Sequence, residues 1–167
     1  MDATYTLRPA LPNHLPTIVH LDQTIFGPLG TAEAPEIIAA RLAVFPAGFF
    51  VLEHTAERGG EFVGYGCSEK WLHERDPALD DNPHETHHAN GRIFCITTIA
   101  LLSELRGQGL GGMLLDALLA VARQHNCYKV LVETALAQNF YLRCGWQPVK
   151  TRVQRGVTLD VFSLQLG

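Results

Sequence analysis

Two hydrophobic periods alternate along this chain, and the points where one gives way to the other outline its elements. Residues 4–9 read as a short strand. Between Asn13 and Phe26, Leu15, Ile18, Val19, Asp22 and Ile25 follow helical spacing, and Gly27-Pro28 ends the run. Pro35 is well placed as a first helical residue. Ile37, Ile38, Leu42 and Phe45 make one apolar stripe, so a second helix is predicted from about Pro35 to Phe45. Phe49–Glu53 and Phe62–Trp71 read as the strands of a hairpin joined at Glu57-Arg58-Gly59-Gly60.

Residues 72–92 break the pattern. They are polar and rich in turn formers (Asp76-Pro77, Asp80-Asp81-Asn82-Pro83, Asn90-Gly91) and read as one long loop. Loops of that length in a compact domain are often functional. Ile93–Leu101 is then almost continuously apolar, as expected of a central strand covered on both faces. Leu110 to about His125 is a helix, apolar on most of its circumference, and Lys129–Glu133 is another strand. Strand, helix and strand form a βαβ unit with parallel neighbours. A short helix from about Ala135 to Arg143 ends at Gly145. Pro148–Val153 and Val157–Leu166 pair as a final hairpin around Arg155-Gly156.

At 167 residues the chain reads as a single domain, 1–167. It is 47% hydrophobic and 18% charged, which argues against disorder. Its 13 Lys and Arg stand against 17 Asp and Glu, net −4, and this argues against a nucleic-acid partner. Cys67, Cys95, Cys127 and Cys144 show no C-x-x-C spacing and are expected as reduced thiols. No basic-then-apolar leader opens the sequence and no apolar run approaches the ~20 residues of a membrane span, so a soluble, cytoplasmic protein is expected.

The chemistry concentrates in Arg106-Gly107-Gln108-Gly109-Leu110-Gly111-Gly112, between a strand and its helix. Glycines there let backbone N–H groups turn outward, and the helix start adds partial positive charge, which together suit a phosphate. No Gly-Lys-Ser/Thr follows, so this is not a P-loop. Gly107, Gly109 and Gly112 spell G-x-G-x-x-G. However, Ser103–Arg106 separate them from the strand, and too little chain follows Glu133 for a second mononucleotide half.

Arg106-x-x-Gly109-x-Gly111 resembles the R/Q-x-x-G-x-G/A acetyl-CoA motif of the GNAT superfamily of N-acetyltransferases. Ile96–Leu101 is similar to that superfamily's fourth strand. Phe140-Tyr141-Leu142-Arg143-Cys144-Gly145-Trp146 resembles its (F/L)-Y-x-x-x-G-F segment. Within the superfamily, Gly64-Tyr65 through Trp71 and Glu133–Leu136 look most like the arylalkylamine (serotonin-type) branch. The resemblance implies an α/β (α+β) fold: a mixed, mainly antiparallel sheet of six to seven strands flanked by about four helices. It implies acetyl transfer from acetyl-CoA, without a metal, directly to a primary amine of a small molecule or peptide. The pyrophosphate would lie on the amides of Gln108, Gly109, Leu110, Gly111 and Gly112, in a turn shaped by Arg106 and Gly107. Ile99 and Leu101 would lend backbone to the pantetheine arm. Thr134 would touch CoA where the family often has Asn, and Tyr141 would be the general acid. Small enzymes of this kind often form homodimers.

The base is not fixed by the resemblance. The serotonin-type branch has two histidines on the fourth strand where this chain has Cys95 and Thr97. Glu69, His73, Glu133 or a water remain candidates. His84-Glu85-Thr86-His87-His88 spells H-E-x-x-H, but Pro83 and Asn90-Gly91 leave little room for the long helix of a zinc protease. His87 or His88 could instead serve the acceptor amine. Two other classes therefore stand beside the transferase: a non-catalytic acyl-CoA-binding module, and a zinc hydrolase built on His84–His88.

Overall fold

The computed structural model describes residues 4–55 and 60–167. Seven strands form one sheet: β1 (Tyr5–Pro9), β2 (Phe49–His54), β3 (Glu61–Trp71), β4 (Ile93–Leu101), β5 (Lys129–Thr134), β6 (Gln147–Gln154) and β7 (Val157–Gln165). Their order is β1-β2-β3-β4-β5-β7-β6. Every neighbouring pair is antiparallel except β4 and β5, which are parallel. The helices are α1 (Leu15–Phe26), α2 (Pro35–Val44), α3 (Pro83–Thr86), α4 (Leu110–Gln124) and α5 (Gln138–Arg143).

The apolar stripes sort these helices onto two faces. Ile18 and Leu21 of α1 and Ile38 and Leu42 of α2 pack on Val51, Tyr65, Cys67 and Ala100. On the other face, Leu115 and Leu118 of α4 and Tyr141 of α5 pack on Phe94, Ile96, Val130, Val132 and Phe162. Gly64 and Gly66 let α4 lie close: a Cβ on Gly64 would stand 2.7 Å from the Ala100 carbonyl, and one on Gly66 3.1 Å from Leu118.

Two irregularities in β4 create the site. The first is a bulge. Cys67 pairs with Thr98, but Ser68 pairs with Ile96, so Thr97 is an extra residue. Alternation is reset there, and two successive hydroxyls share the α1–α2 face. Thr97 Oγ1 lies 3.2 Å from Cys67 Sγ, and Thr98 Oγ1 accepts a hydrogen bond from Arg41 Nη1 at 3.1 Å. The second is a split. The parallel ladder stops at Ile96–Val132, while β4 continues to Leu101 and β5 turns its last residues to β7. Residues 97–101 therefore have no strand on their β5 side.

Among the described residues the predicted elements are present with two differences. Residues 72–92 hold a short helix, α3, started by the Asn82 side chain accepting the His84 N–H at 3.1 Å; five α-helices result rather than four. The last helix covers Gln138–Arg143, because Thr134 Oγ1 accepts the Ala137 N–H and holds residues 135–137 in a turn. Of the predicted 57–60 turn, Glu57, Arg58 and Gly59 lie outside the described residues.

Candidate active site

Where β4 parts from β5, a cleft of about 620 Å³ opens. One end is the glycine turn. After a tight turn at Ser103–Leu105 the chain passes Arg106 and enters α4 through Gly107 and Gly109, both at φ +82°. That backbone conformation favours glycine. The N–H groups of Leu110, Gly111 and Gly112 stand in the first turn of α4, where a helix offers them no carbonyl. A Cβ at Gly107, Gly109, Gly111 or Gly112 would meet nothing within 4 Å. The turn is thus a bare backbone concavity at the positive end of a 15-residue helix. Arg106 and those four glycines line the cleft; Gln108 does not, and the Leu110 side chain is buried against Leu101 and Leu114.

Ile99 and Leu101 line the β4 wall, and Val132, Glu133 and Thr134 the β5 wall. Tyr141 closes the fork from α5. Its ring is 4% exposed, packed against Phe140, Trp146 and Phe162, while its hydroxyl bonds no group among the described residues. Burial pushes the phenol above its ordinary value, so it stays protonated. Arg143, also on the cleft, carries no motif weight in the sequence, and nothing in its spacing marks it.

Beyond the bulge the cleft turns polar. Arg41 and Glu33 form a buried ion pair at 2.6 Å. Asp22 accepts the Tyr65 hydroxyl at 2.5 Å and the Glu33 N–H at 2.9 Å. None of these three cleft residues is legible as more than helix or loop composition, since 57 residues separate Arg41 from the Thr98 it meets. Glu133 is chelated by Arg152. Burial nonetheless holds the Glu133 carboxyl above its ordinary value.

Loop residues 76–81 cross this end as a strap, and the β6–β7 hairpin latches it. Lys150 pairs with Asp76 at 2.9 Å. The Gln154 amide accepts the Leu79 N–H at 3.0 Å and donates to the Leu79 carbonyl at 2.9 Å. Arg155 reaches Asp80, Glu33 and the Ala32 carbonyl. Of the candidate bases, Glu69 and Glu133 line the cleft, whereas His73 is exposed outside it.

Within the histidine segment His87 is used for packing while His84 and His88 are exposed, and the structure supports neither role considered for the segment. His87 Nδ1 accepts the Lys70 N–H at 3.1 Å and its ring stacks on Phe45; His88 Nδ1 accepts the Asn90 N–H at 3.1 Å. Neither lines the cleft, and α3 is only 4 residues long. Among the described residues no group of three His, Cys, Asp or Glu is placed to hold a metal. Burial, with Lys70 nearby, lowers the His87 pKa to about 4. The folded state therefore resists a proton that the unfolded chain accepts near 6.5, and stability contributed by neutral His87 is lost as pH falls from about 6.5 through 4. His87→Gln is expected to flatten that part of a melting-temperature-versus-pH curve; an unchanged slope would contradict this.

Comparison with known proteins identifies the class. Residues 15–146 match the model of the acetyltransferase (GNAT) family. The chain belongs to that family, and it is an acyltransferase. Three solved structures share the fold. The loading GNATL domain of CurA from Lyngbya majuscula has a TM-score of 0.81 at 20% identity, with 97% of this chain and 98% of that one covered. Rv2747 from Mycobacterium tuberculosis, in complex with CoA, has a TM-score of 0.67 at 21% identity over 96% and 99%. The ribosomal-protein-S18-alanine N-acetyltransferase from Escherichia coli has a TM-score of 0.68 at 14% identity over 97% and 94%. These matches lend no support to the arylalkylamine branch.

Proposed function

We propose that this protein transfers acetyl from acetyl-CoA directly to a primary amine. The observation that carries the reading is the bare glycine turn at the mouth of the split between β4 and β5. The N–H groups of residues 108–112 would hold the pyrophosphate, with Arg106 and Gly107 shaping the turn. Ile99 and Leu101 lie on the unpaired stretch of β4 and would bond the pantetheine amides in strand fashion. Thr134, opposite, would flank the arm. Acetyl-CoA bound there supplies the activated acetyl group.

Tyr141 would serve the sulfur. An ordinary thiol titrates near 8.5 and this phenol lies above its own usual 10, so the phenol donates a hydrogen bond as the C–S bond breaks. As the amide forms, the phenol passes its proton to the sulfur and takes one from the amine in the same step, so it ends protonated. Direct attack is favoured over an acyl-enzyme because Cys67 and Cys95 are buried, which raises both thiols, and the exposed Cys144 is not among the residues that line the cleft. A cytoplasmic setting goes with this reading, since all four cysteines are free.

Calorimetric titration with acetyl-CoA, with NADH and ZnCl₂ as controls, tests the cofactor assignment. Micromolar binding of acetyl-CoA alone is expected; its absence would overturn the reading.

A further inference from the structure

The far end of the cleft is lined by the carboxylates of Asp22, Glu33, Glu69, Asp81 and Glu133. Four are satisfied within the protein. Asp22 is held by Tyr65 and the Glu33 N–H, and Glu33 by Arg41 and Arg155. Asp81 pairs with Arg75 at 2.8 Å, and Glu133 with Arg152. Glu69 is different. It is 2% exposed, and Arg41 and Arg75 act on it only through space, each being paired with another carboxylate. Its Oε1 accepts from Trp71 Nε1 at 2.6 Å and from Thr86 Oγ1 at 2.7 Å, both neutral donors, and its Oε2 accepts from no described residue. A buried carboxylate keeps its charge at low cost only beside a cation. On β3 it pairs opposite Cys95, one residue before the last β4–β5 pair at Ile96–Val132, where the split opens, and it lines the cleft.

We infer that Glu69 seats the acceptor's ammonium and takes its proton, and that the acceptor is a compact primary amine with an apolar body. This rests on the acetyl-transfer reading. The acceptor's chemistry follows from its surroundings. Trp71, Pro77, Ala78 and Leu79 give apolar walls, and the latched strap roofs the chamber.

The step balances. The ammonium, with a pKa near 10, has no lone pair until one proton passes to Glu69. The nitrogen then forms the C–N bond as the C–S bond breaks. The sulfur gains the Tyr141 proton, the amine's second proton restores Tyr141, and Glu69 releases its proton to solvent. The sum is amide, CoA thiol and one proton.

The test uses the full chain, acetyl-CoA and a thiol-release assay, with n-hexylamine and a tetrapeptide with a free N-terminus as acceptors. Glu69→Gln keeps an oxygen for Trp71 and Thr86. It is expected to lower kcat/KM for n-hexylamine about 100-fold while acetyl-CoA affinity stays within about twofold. Wild type is expected to prefer n-hexylamine over the tetrapeptide by about 50-fold or more, a comparison that decides even if the variant is unstable. A variant within about threefold of wild type would overturn the proposal. So would equal use of the peptide. Wild type that binds no acetyl-CoA would overturn the transfer reading itself, and the proposal with it.

Discussion

Gly111→Asp will give a protein that is at least as stable as wild type and has lost acetyl-CoA. Gly111 is the second residue of α4, its φ is not positive, and a Cβ there meets nothing within 4 Å. An acidic side chain in a first helical turn is favourable by about 0.3–1 kcal/mol, and replacing a helical glycine adds about 0.5–1 kcal/mol. The same carboxylate would stand where the pyrophosphate is proposed to lie, removing the open space and setting negative charge against negative charge. Acetyl-CoA affinity should fall on the order of 10³-fold, roughly 4 kcal/mol. Calorimetry and a thermal melt on one sample measure both quantities. Retained affinity would place the pyrophosphate elsewhere.

Tyr141→Phe should lower kcat on the order of 10³-fold and leave the affinity for acetyl-CoA unchanged. The hydroxyl bonds nothing among the described residues, so its removal orphans no partner, while the ring packing on Trp146 and Phe162 is kept. The melting temperature should therefore stay within about 2 °C. Loss of rate without loss of binding or stability is the signature of a group that acts as the C–S bond breaks. Unchanged kcat would remove Tyr141 from the reaction and favour a non-catalytic acyl-CoA-binding module.

Local signals were legible because local physics sets them. Ile93–Leu101 reads as a covered central strand from its unbroken apolar run, and its bounds match β4 residue for residue. The glycine turn reads as an anion site because only glycine accepts φ +82° without strain. What the sequence hid depends on pairing across long separations. The bulge at Thr97 arises from how β3 and β4 register, and neither strand's composition marks it. The strap is polar and reads as a plain loop; its closure depends on Gln154, 75 residues away from Leu79. Glu69 is one of several acidic residues until its burial, its two neutral donors and its unpartnered Oε2 are seen. The histidine segment misleads in the opposite way. Its spelling suggests metal chemistry, but His87 is committed to the Lys70 backbone and the Phe45 ring.

Direct acetyl transfer to an amine is tested most simply by mixing wild-type protein with acetyl-CoA, with and without n-hexylamine. Free CoA thiol is then followed, and the intact protein mass is recorded. Thiol release that requires the amine, with the protein mass unchanged throughout, is the expected result. Thiol release without amine, accompanied by a protein heavier by one acetyl group, would contradict direct transfer and point to an acyl-enzyme.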